Sequence, residues 1–366
     1  VSQEYVMVTM EIRVFGWLED RFNALFAGWW LKLLVLVFFW IGVSGCKVET
    51  VTDGIVNDDA FIKQKGQSLF LKVAGNIGSR KLLLIVHGGP GGNGLDYRDS
   101  MIKVMVEPNM AVGYWDQRFG GNSQGNGGKS GLADYREDLL TVVKFLRAKY
   151  GADLKIYVMG HSWGGFLTPY FLSYEDNQSL VSGWIQVDGA HNYPMNDSLT
   201  EVMLAQRAAI EIAANRNVSH WQEVLTYCET HNSSDGYEVS AQLNQYAHEG
   251  ETLMDSVYAP SGSYSKEKSS SYRNNRVNET ISGLLGVDGP TYDVNPDLYL
   301  GRIQLPTLLM WGEYDFVCPP ALCDDLQLKI GSTDKTVQYF HHSGHSPMMN
   351  EPLLFWNAVL EWVGKH

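Results

Sequence analysis

Beyond residue 46 the apolar positions fall into short runs, each closed by a glycine-rich or polar turn, and these runs alternate with longer stretches patterned at helical spacing. Short apolar runs bounded by turn residues predict buried strands, and their alternation with helices predicts a largely parallel sheet with helices on its faces. The expected strands are Ser68–Val73, Leu82–Val86, Ala111–Trp115, Lys155–Met159, Gly183–Val187, Thr307–Trp311 and Thr336–Phe340. Between the third and fourth, Asp134 with Glu137 three residues on makes a capping-box-like start. Leu139, Val142, Val143 and Leu146 then share one helical face, which predicts a crossover helix closing at Gly151. A C-terminal helix is expected from about Pro352.

From about His191 to Pro296 the strand pattern gives way to helical stretches such as Asp197–Asn215 and a polar tract from Ser261 to Arg276. It resumes at Leu305, so the insert interrupts one sheet and reads as a helical cap. The expected organisation is a core over 60–190 and 298–366 with the cap at 191–297, preceded by a separate segment over 1–46. Within that segment Trp29 to Gly45 is apolar apart from Lys32, and Leu33 to Ile41 is apolar on every helical side, which predicts insertion into lipid. The residues Val43-Ser44-Gly45-Cys46 resemble the lipobox of bacterial lipoproteins, which makes Cys46 the candidate for lipidation. An uncleaved signal anchor and a cleaved secretory signal are the alternatives, and all three place the body outside the cytoplasm, periplasmic or at the cell surface in a bacterium.

Charge and cysteine content narrow the classes. Lys and Arg number 28 against 41 Asp and Glu, a net charge of −13, so nothing offers the basic stripe that a nucleic acid needs. The 366 residues, 45% hydrophobic, exclude a disordered chain. The 4 cysteines are too few for a disulfide framework and form no CxxC pair, leaving at most a Cys318–Cys323 bridge; no metal site and no cofactor is expected.

The chemistry concentrates at strand ends. After Lys155–Met159 comes Gly160-His161-Ser162-Trp163-Gly164-Gly165 and then a helix-compatible run, the strand, G-x-S-x-G, helix context of a nucleophile elbow. Glycines on both sides of Ser162 allow a tight turn that exposes the hydroxyl near a helix N-terminus, where negative charge is favoured. In a chain with 37 glycines the motif alone is as readily a chance turn, so it needs partners. His87-Gly88-Gly89-Pro90-Gly91-Gly92 follows a strand and can aim a backbone N–H at an oxyanion, with Gly89 and Trp163 as donors and His87 as a structural residue. The loop lacks the lysine and spacing of a phosphate cradle. Gly312-Glu313-Tyr314-Asp315 puts a carboxylate at a strand end, with Asp315 preferred over Glu313 and with Asp324 and Asp325 expected to be solvated. Ser343-Gly344-His345 supplies the base, with His341 and His342 nearer the strand end. Ser162, Asp315 and His345 occur in the order nucleophile, acid, histidine, each at a strand-to-loop exit.

These residues resemble the α/β-hydrolase superfamily. With Tyr114-Trp115-Asp116-Gln117-Arg118-Phe119-Gly120-Gly121-Asn122-Ser123 they are similar more narrowly to its proline iminopeptidase branch, with Trp115, Phe119 and Asn122 departing from the family pattern. The resemblance implies an α/β-hydrolase fold with an inserted cap and a cofactor-free serine hydrolase working through an acyl-enzyme on Ser162. It also implies an aminopeptidase-like preference for short peptides, with the substrate's free amine held by cap carboxylates. Glu201, Glu211, Glu223 and Glu229 are available there, none in a local motif, and each reads more simply as part of a solvated helix face. Two other readings stay open: a membrane-tethered esterase or lipase with the same triad, and a binding protein on a hydrolase scaffold.

Overall fold

The computed structural model describes residues 54–125, 130–258, 283–285 and 289–366. The Trp29–Gly45 span, Cys46 and the tract from Ser261 to Arg276 lie outside the described residues, among which no helix is long and apolar enough to cross a membrane. All of the expected strands are present in one nine-stranded sheet. They are β2 (Gln67–Asn76), β3 (Lys81–Val86), β4 (Ala111–Trp115), β6 (Lys155–His161), β7 (Gly183–Val187), β8 (Thr307–Gly312) and β9 (Lys335–Phe340), with β1 (Ile55–Gln64) and the short β5 (Gln124–Gly125) in addition. The order is β1-β2-β4-β3-β6-β7-β8-β9, with β5 on β2. β1, β2 and β4 are joined antiparallel, whereas β4, β3, β6, β7, β8 and β9 run parallel.

The missing expectation of β1 has a physical cause. It is an edge strand of mixed burial with Asn57, Asp58 and Asp59 at its centre, so it carries no clean apolar alternation. Its pairing depends on the turn: Lys65 and Gly66, at φ 44° and 79°, form the two-residue loop between paired Gln64 and Gln67, a conformation suited to the twist of a hairpin.

The parallel strands are buried on both faces. Leu82, Leu84, Val86, Ile156 and Val158 pack with Leu139, Val142, Val143 and Leu146 of α1 (Leu132–Tyr150) and with Phe166 and Leu167 of α2 (Gly164–Leu172). Their neighbours Leu83, Ile85, Tyr157 and Met159 face the other way, onto Phe355, Trp356 and Val359 of the C-terminal helix Pro352–Lys365. The crossover helix starts earlier than expected. Gly131 is its N-cap, and Asp134 sits in the first turn, accepting the Gly131 N–H at 3.0 Å. Thus Asp134 closes the capping box as its acidic member and does not open it.

Between β7 and β8 lie the helices α3 (Tyr193–Ala213), α4 (Val218–Thr230) and α5 (Tyr237–Tyr258). Leu204, Ala208, Trp221, Val224, Leu243 and Ala247 of these helices join the apolar cluster on the α1 face of the sheet. Two solvated acids are corrected here. Glu211 is buried, its carboxylate shared by Arg207 at 2.9 Å and Arg216 at 2.6 Å. Asp325 is held between His191 and Lys329, each at 2.9 Å. Cys318 and Cys323 are free buried thiols, so no bridge joins them.

The glycines of the turn after β6 are fixed by close approach. A Cβ on Gly164 would stand 1.9 Å from the Val86 carbonyl oxygen, and one on Gly160 2.4 Å from Thr168 Oγ1. Helix α2 therefore abuts the end of β3 through bare backbone. Gly164→Ala is expected to cost roughly 4 kcal/mol or more, because main chain must move. Gly364→Ala, where a Cβ meets nothing within 4 Å, is expected to be neutral or slightly stabilising. Urea unfolding midpoints of the two variants check this, and equal midpoints would contradict it.

Candidate active site

The chain turns from β6 into α2 at Ser162, which takes φ 56°, a left-handed conformation that a side-chain-bearing residue adopts only when its surroundings impose it. The Ser162 N–H donates to Val187 O at 3.2 Å and its carbonyl accepts from Gly165 N at 2.8 Å. These bonds hold the residue at the head of α2 with its side chain in the wall of a cavity of about 500 Å³.

The Gly-rich loop after β3 forms the opposite wall. Gly88 lies against the serine, a Cβ there falling 3.1 Å from that of Ser162, and Gly89, at φ 133°, lines the cavity beside it. Residues 116–118 brace this loop. Gln117 donates its main-chain N–H to His87 Nε2 (3.0 Å) and its amide to His87 O (2.8 Å), while its Oε1 accepts the indole N–H of Trp163 (2.8 Å). Trp163 thus turns its ring into the core, stacked on Phe166, and only its main chain remains beside the serine. Asp116 accepts from Gly94 N and Asn122 N at 2.7 and 2.6 Å, with burial pushing its carboxyl up to about 6. Arg118 holds Asp138 of α1 through Nε and Nη2 at 2.7 and 2.8 Å.

Asp315 and His345 meet where the loops after β8 and β9 come together. Asp315 is fully buried at the turn after β8; its Oδ1 accepts the Cys318 N–H at 2.7 Å and its Oδ2 lies 2.9 Å from His345 Nδ1. Burial raises Asp315 to about 7 and lowers His345 from the ordinary histidine value. Glu313, the other candidate acid, is exposed and paired with His341 at 2.6 Å, away from the cavity. His342 likewise does not line it.

Two groups unforeseen in the sequence tie these parts together. His161 bridges loops: its Nε2 lies 2.7 Å from His345 O, its Nδ1 lies 2.6 Å from Tyr97 Oη, and that hydroxyl accepts the Gly88 N–H at 3.2 Å. Only one direction of donation satisfies every atom: Nε2–H to the carbonyl, and Tyr97 O–H to Nδ1. Burial, helped by neighbouring His345, depresses His161 to about 3, in keeping with a neutral ring. Glu251, from cap helix α5, accepts Phe316 N at 2.8 Å and Val317 N at 3.3 Å on Oε1, and His345 N at 3.1 Å on Oε2. One side chain of α5 therefore holds the Asp315 loop and the His345 loop at once. Neither residue belongs to a readable motif; His161 is the unspecified position of G-x-S-x-G, and Glu251 is one acid among several on its helix.

Ser162, Gly89 and His345 line the same cavity, whereas Glu201, Glu211, Glu223 and Glu229 do not. The carboxylates that do are Asp96, beside the Gly-rich loop, and Asp197, on the first turns of α3. Asp197 is buried and accepts from the hydroxyls of Ser240 and Tyr292; burial raises its carboxyl from the usual range. No lysine or arginine among the described residues lines the cavity. His248, across from His345 with ring centroids 6.2 Å apart, is lowered to about 4 by burial and is neutral at pH 7.

A family model described as alpha/beta hydrolase fold matches residues 81–352. A proline iminopeptidase of Thermoplasma volcanium is 27% identical over 317 residues, covering 84% of this chain and 97% of that protein. A probable aminopeptidase of Bacillus subtilis, YbaC, is 21% identical over 308 residues, covering 78% and 89%. Among solved structures, proline iminopeptidase of Mycobacterium smegmatis is similar with TM-score 0.55 at 16% identity, covering 84% of this chain and 98% of that one. The esterase EaEST from Exiguobacterium antarcticum is similar with TM-score 0.51 at 16% identity, covering 84% and 100%.

Because His161 is held at about 3 in the native state, against an ordinary histidine value of 6.5, the unfolded chain binds a proton there that the folded chain refuses. This contribution to stability is complete above pH 6.5 and is lost as pH falls toward 3. His161→Gln removes it. Between pH 7 and 4.5 the wild type is expected to lose about 2 kcal/mol more than the variant, read from urea unfolding at each pH.

Proposed function

The chain belongs to the alpha/beta hydrolase fold family and is distantly related to proline iminopeptidases and aminopeptidases, and on that premise we propose that it is a serine hydrolase that releases N-terminal residues from short peptides through an acyl-enzyme. One observation carries this reading: Ser162 and His345 open on a single cavity whose described lining contains the carboxylates Asp96 and Asp197 and no lysine or arginine. Such a lining favours a substrate bearing an ammonium group over a neutral or anionic ester.

In the proposed reaction Ser162 Oγ attacks the scissile carbonyl while His345 Nε2 takes its proton, and Asp315, 2.9 Å from Nδ1, fixes the tautomer and steadies the imidazolium. The main-chain N–H groups of Gly89 and Trp163 receive the oxyanion. His345 then protonates the departing amine, and a water deprotonated by the same ring releases the acyl group. Asp197 holds the substrate's free amine; an ammonium placed against this buried carboxyl stabilises its ionised form and offsets the cost of burial. The same reading puts the body outside the cytoplasm, on the strength of the segment ending at Cys46.

Ser162→Ala is expected to lower turnover of an N-terminal prolyl anilide by on the order of ten-thousand-fold while leaving the unfolding midpoint near that of the wild type. Retained turnover removes Ser162 as the nucleophile, and a wild type that turns over neither amide nor ester favours the binding-protein reading. Asp197→Asn is expected to raise KM for the free-amine anilide by about tenfold, with a smaller effect on an acyl ester of the same leaving group. Anilide cleavage that persists when the substrate's amine is acetylated removes the amine-binding reading, and turnover confined to the ester makes the protein an esterase instead.

A further inference from the structure

Asp188, at the carboxyl end of β7, is a buried acid for which the proposed reaction has no use. It is fully buried and held at φ 43°, with its N–H donating to Met310 O at 3.1 Å. Its Oδ1 accepts the Gly312 N–H at 2.8 Å, so it is fastened to the strand that ends in Asp315. Its Oδ2 is buried and receives no N–H or hydroxyl donor among the described residues. The Asp188 and Asp315 carboxyls are near enough for each to act on the other, and since no donor reaches Asp188 Oδ2, a proton on that oxygen is what would satisfy it and join the two groups.

We propose that Asp188 is a positioning residue that stays protonated in the working enzyme and donates Oδ2–H to the Asp315 carboxylate, fixing that carboxylate against His345 Nδ1. The proposal rests on the assignment of Asp315 and His345 as acid and base. The location of the proton follows from the count of donors. Asp315 accepts the Cys318 N–H and faces the imidazole, so it gathers the negative charge, whereas Asp188 has one main-chain donor and a bare second oxygen. Two anionic carboxylates in contact at zero exposure would repel each other strongly. Burial and the nearby Asp315 charge raise Asp188 well above the ordinary carboxyl value.

The groups that bear on this pair come from several elements: Glu251 from α5, Cys318 from the β8 turn, Cys323 from the helix Ala321–Lys329, Tyr97 from the loop after β3, and His345 from the loop after β9. None is a lysine or arginine, so His345 is the group whose protonation answers the charge. Glu251 also lies within electrostatic reach of Asp315, but both of its oxygens already accept main-chain N–H groups, which makes it the clamp between loops and leaves Asp188 as the dedicated donor.

The test is the rate of Ser162 labelling by a fluorophosphonate from pH 5 to 9, on the full chain and on Asp188→Asn and Asp188→Ala. Asp188→Ala deprives ionised Asp315 of a donor, so the acidic limb is expected to move up by about one pH unit, a roughly tenfold slower labelling at pH 6. Asp188→Asn presents an N–H from the same position and is expected to recover most of that loss. An unshifted profile in Asp188→Ala overturns the proposal, as does Asp188→Asn falling as far as Asp188→Ala, which would mean that the carboxylate charge itself is needed. If Asp188→Ala does not fold, Asp188→Asn is set against Asp315→Asn: equal loss overturns the proposal, and a limb close to wild type supports it. A wild type that is not labelled, or labelling that survives in Ser162→Ala, overturns the underlying assignment and the proposal with it.

Discussion

His161 has to remain uncharged for the loops at the carboxyl edge of the sheet to hold their relative positions, because its two nitrogens perform opposite tasks: one donates to the carbonyl of His345 and the other accepts from Tyr97. A second proton would turn the acceptor into a donor and leave the Tyr97 O–H without its acceptor. The imidazole lies directly before Ser162 in the chain, so the strained turn that presents the serine also anchors the loop of the histidine and the loop that packs on the serine. Three segments far apart in sequence are thereby set by one buried ring.

A second set of bonds braces the Gly-rich loop from its other neighbours. Gln117 locks His87 and the Trp163 indole, Asp116 gathers the turns at Gly94 and Asn122, and Arg118 ties the same stretch to α1. Glu251 then fastens α5 to the loops of Asp315 and His345. The edge-to-face contact of Trp221 with Phe316, ring centroids 6.3 Å apart, adds an apolar seat next to Asp315. Helix α5 is therefore part of the support of Asp315 and His345 as well as of the wall of the cavity.

Much of this was legible because parallel strands buried on both faces read as apolar runs, and because the candidate residues lie where those runs end. The strands β2, β3, β4, β6, β7, β8 and β9 could be named from such runs; β1 could not, since Asn57, Asp58 and Asp59 interrupt its apolar positions, and β5 is too short to show a period. Ser162, Gly89, Asp315 and His345 were readable as residues at strand exits. Asp188 sits at such an exit too, before Gly189, but one acid there is no motif. Glu211 and Asp325 read as solvated because helix spacing shows Arg207 one turn before Glu211 but nothing of Arg216 or His191, which reach the two carboxylates from outside their helices. Glu251, Asp197 and His161 owe their roles to contacts between distant segments, which local pattern does not encode.

The insertion of α3, α4 and α5 between paired strands sets an order of assembly. Trp184 of β7 pairs with Thr307 of β8, so the sheet can add its last two strands only after the whole cap sequence is available. Chains fold from the N-terminus as they are made, and pairings that close long loops come late. The serine side of the edge, with β3, β4, β6 and the Gly-rich loop, can form first; Asp315 and His345 arrive with β8 and β9, and Glu251 is in place to receive their loops. A nascent chain thus carries Ser162 before it has Asp315 and His345, and the candidate site is the last part of the molecule that folding completes.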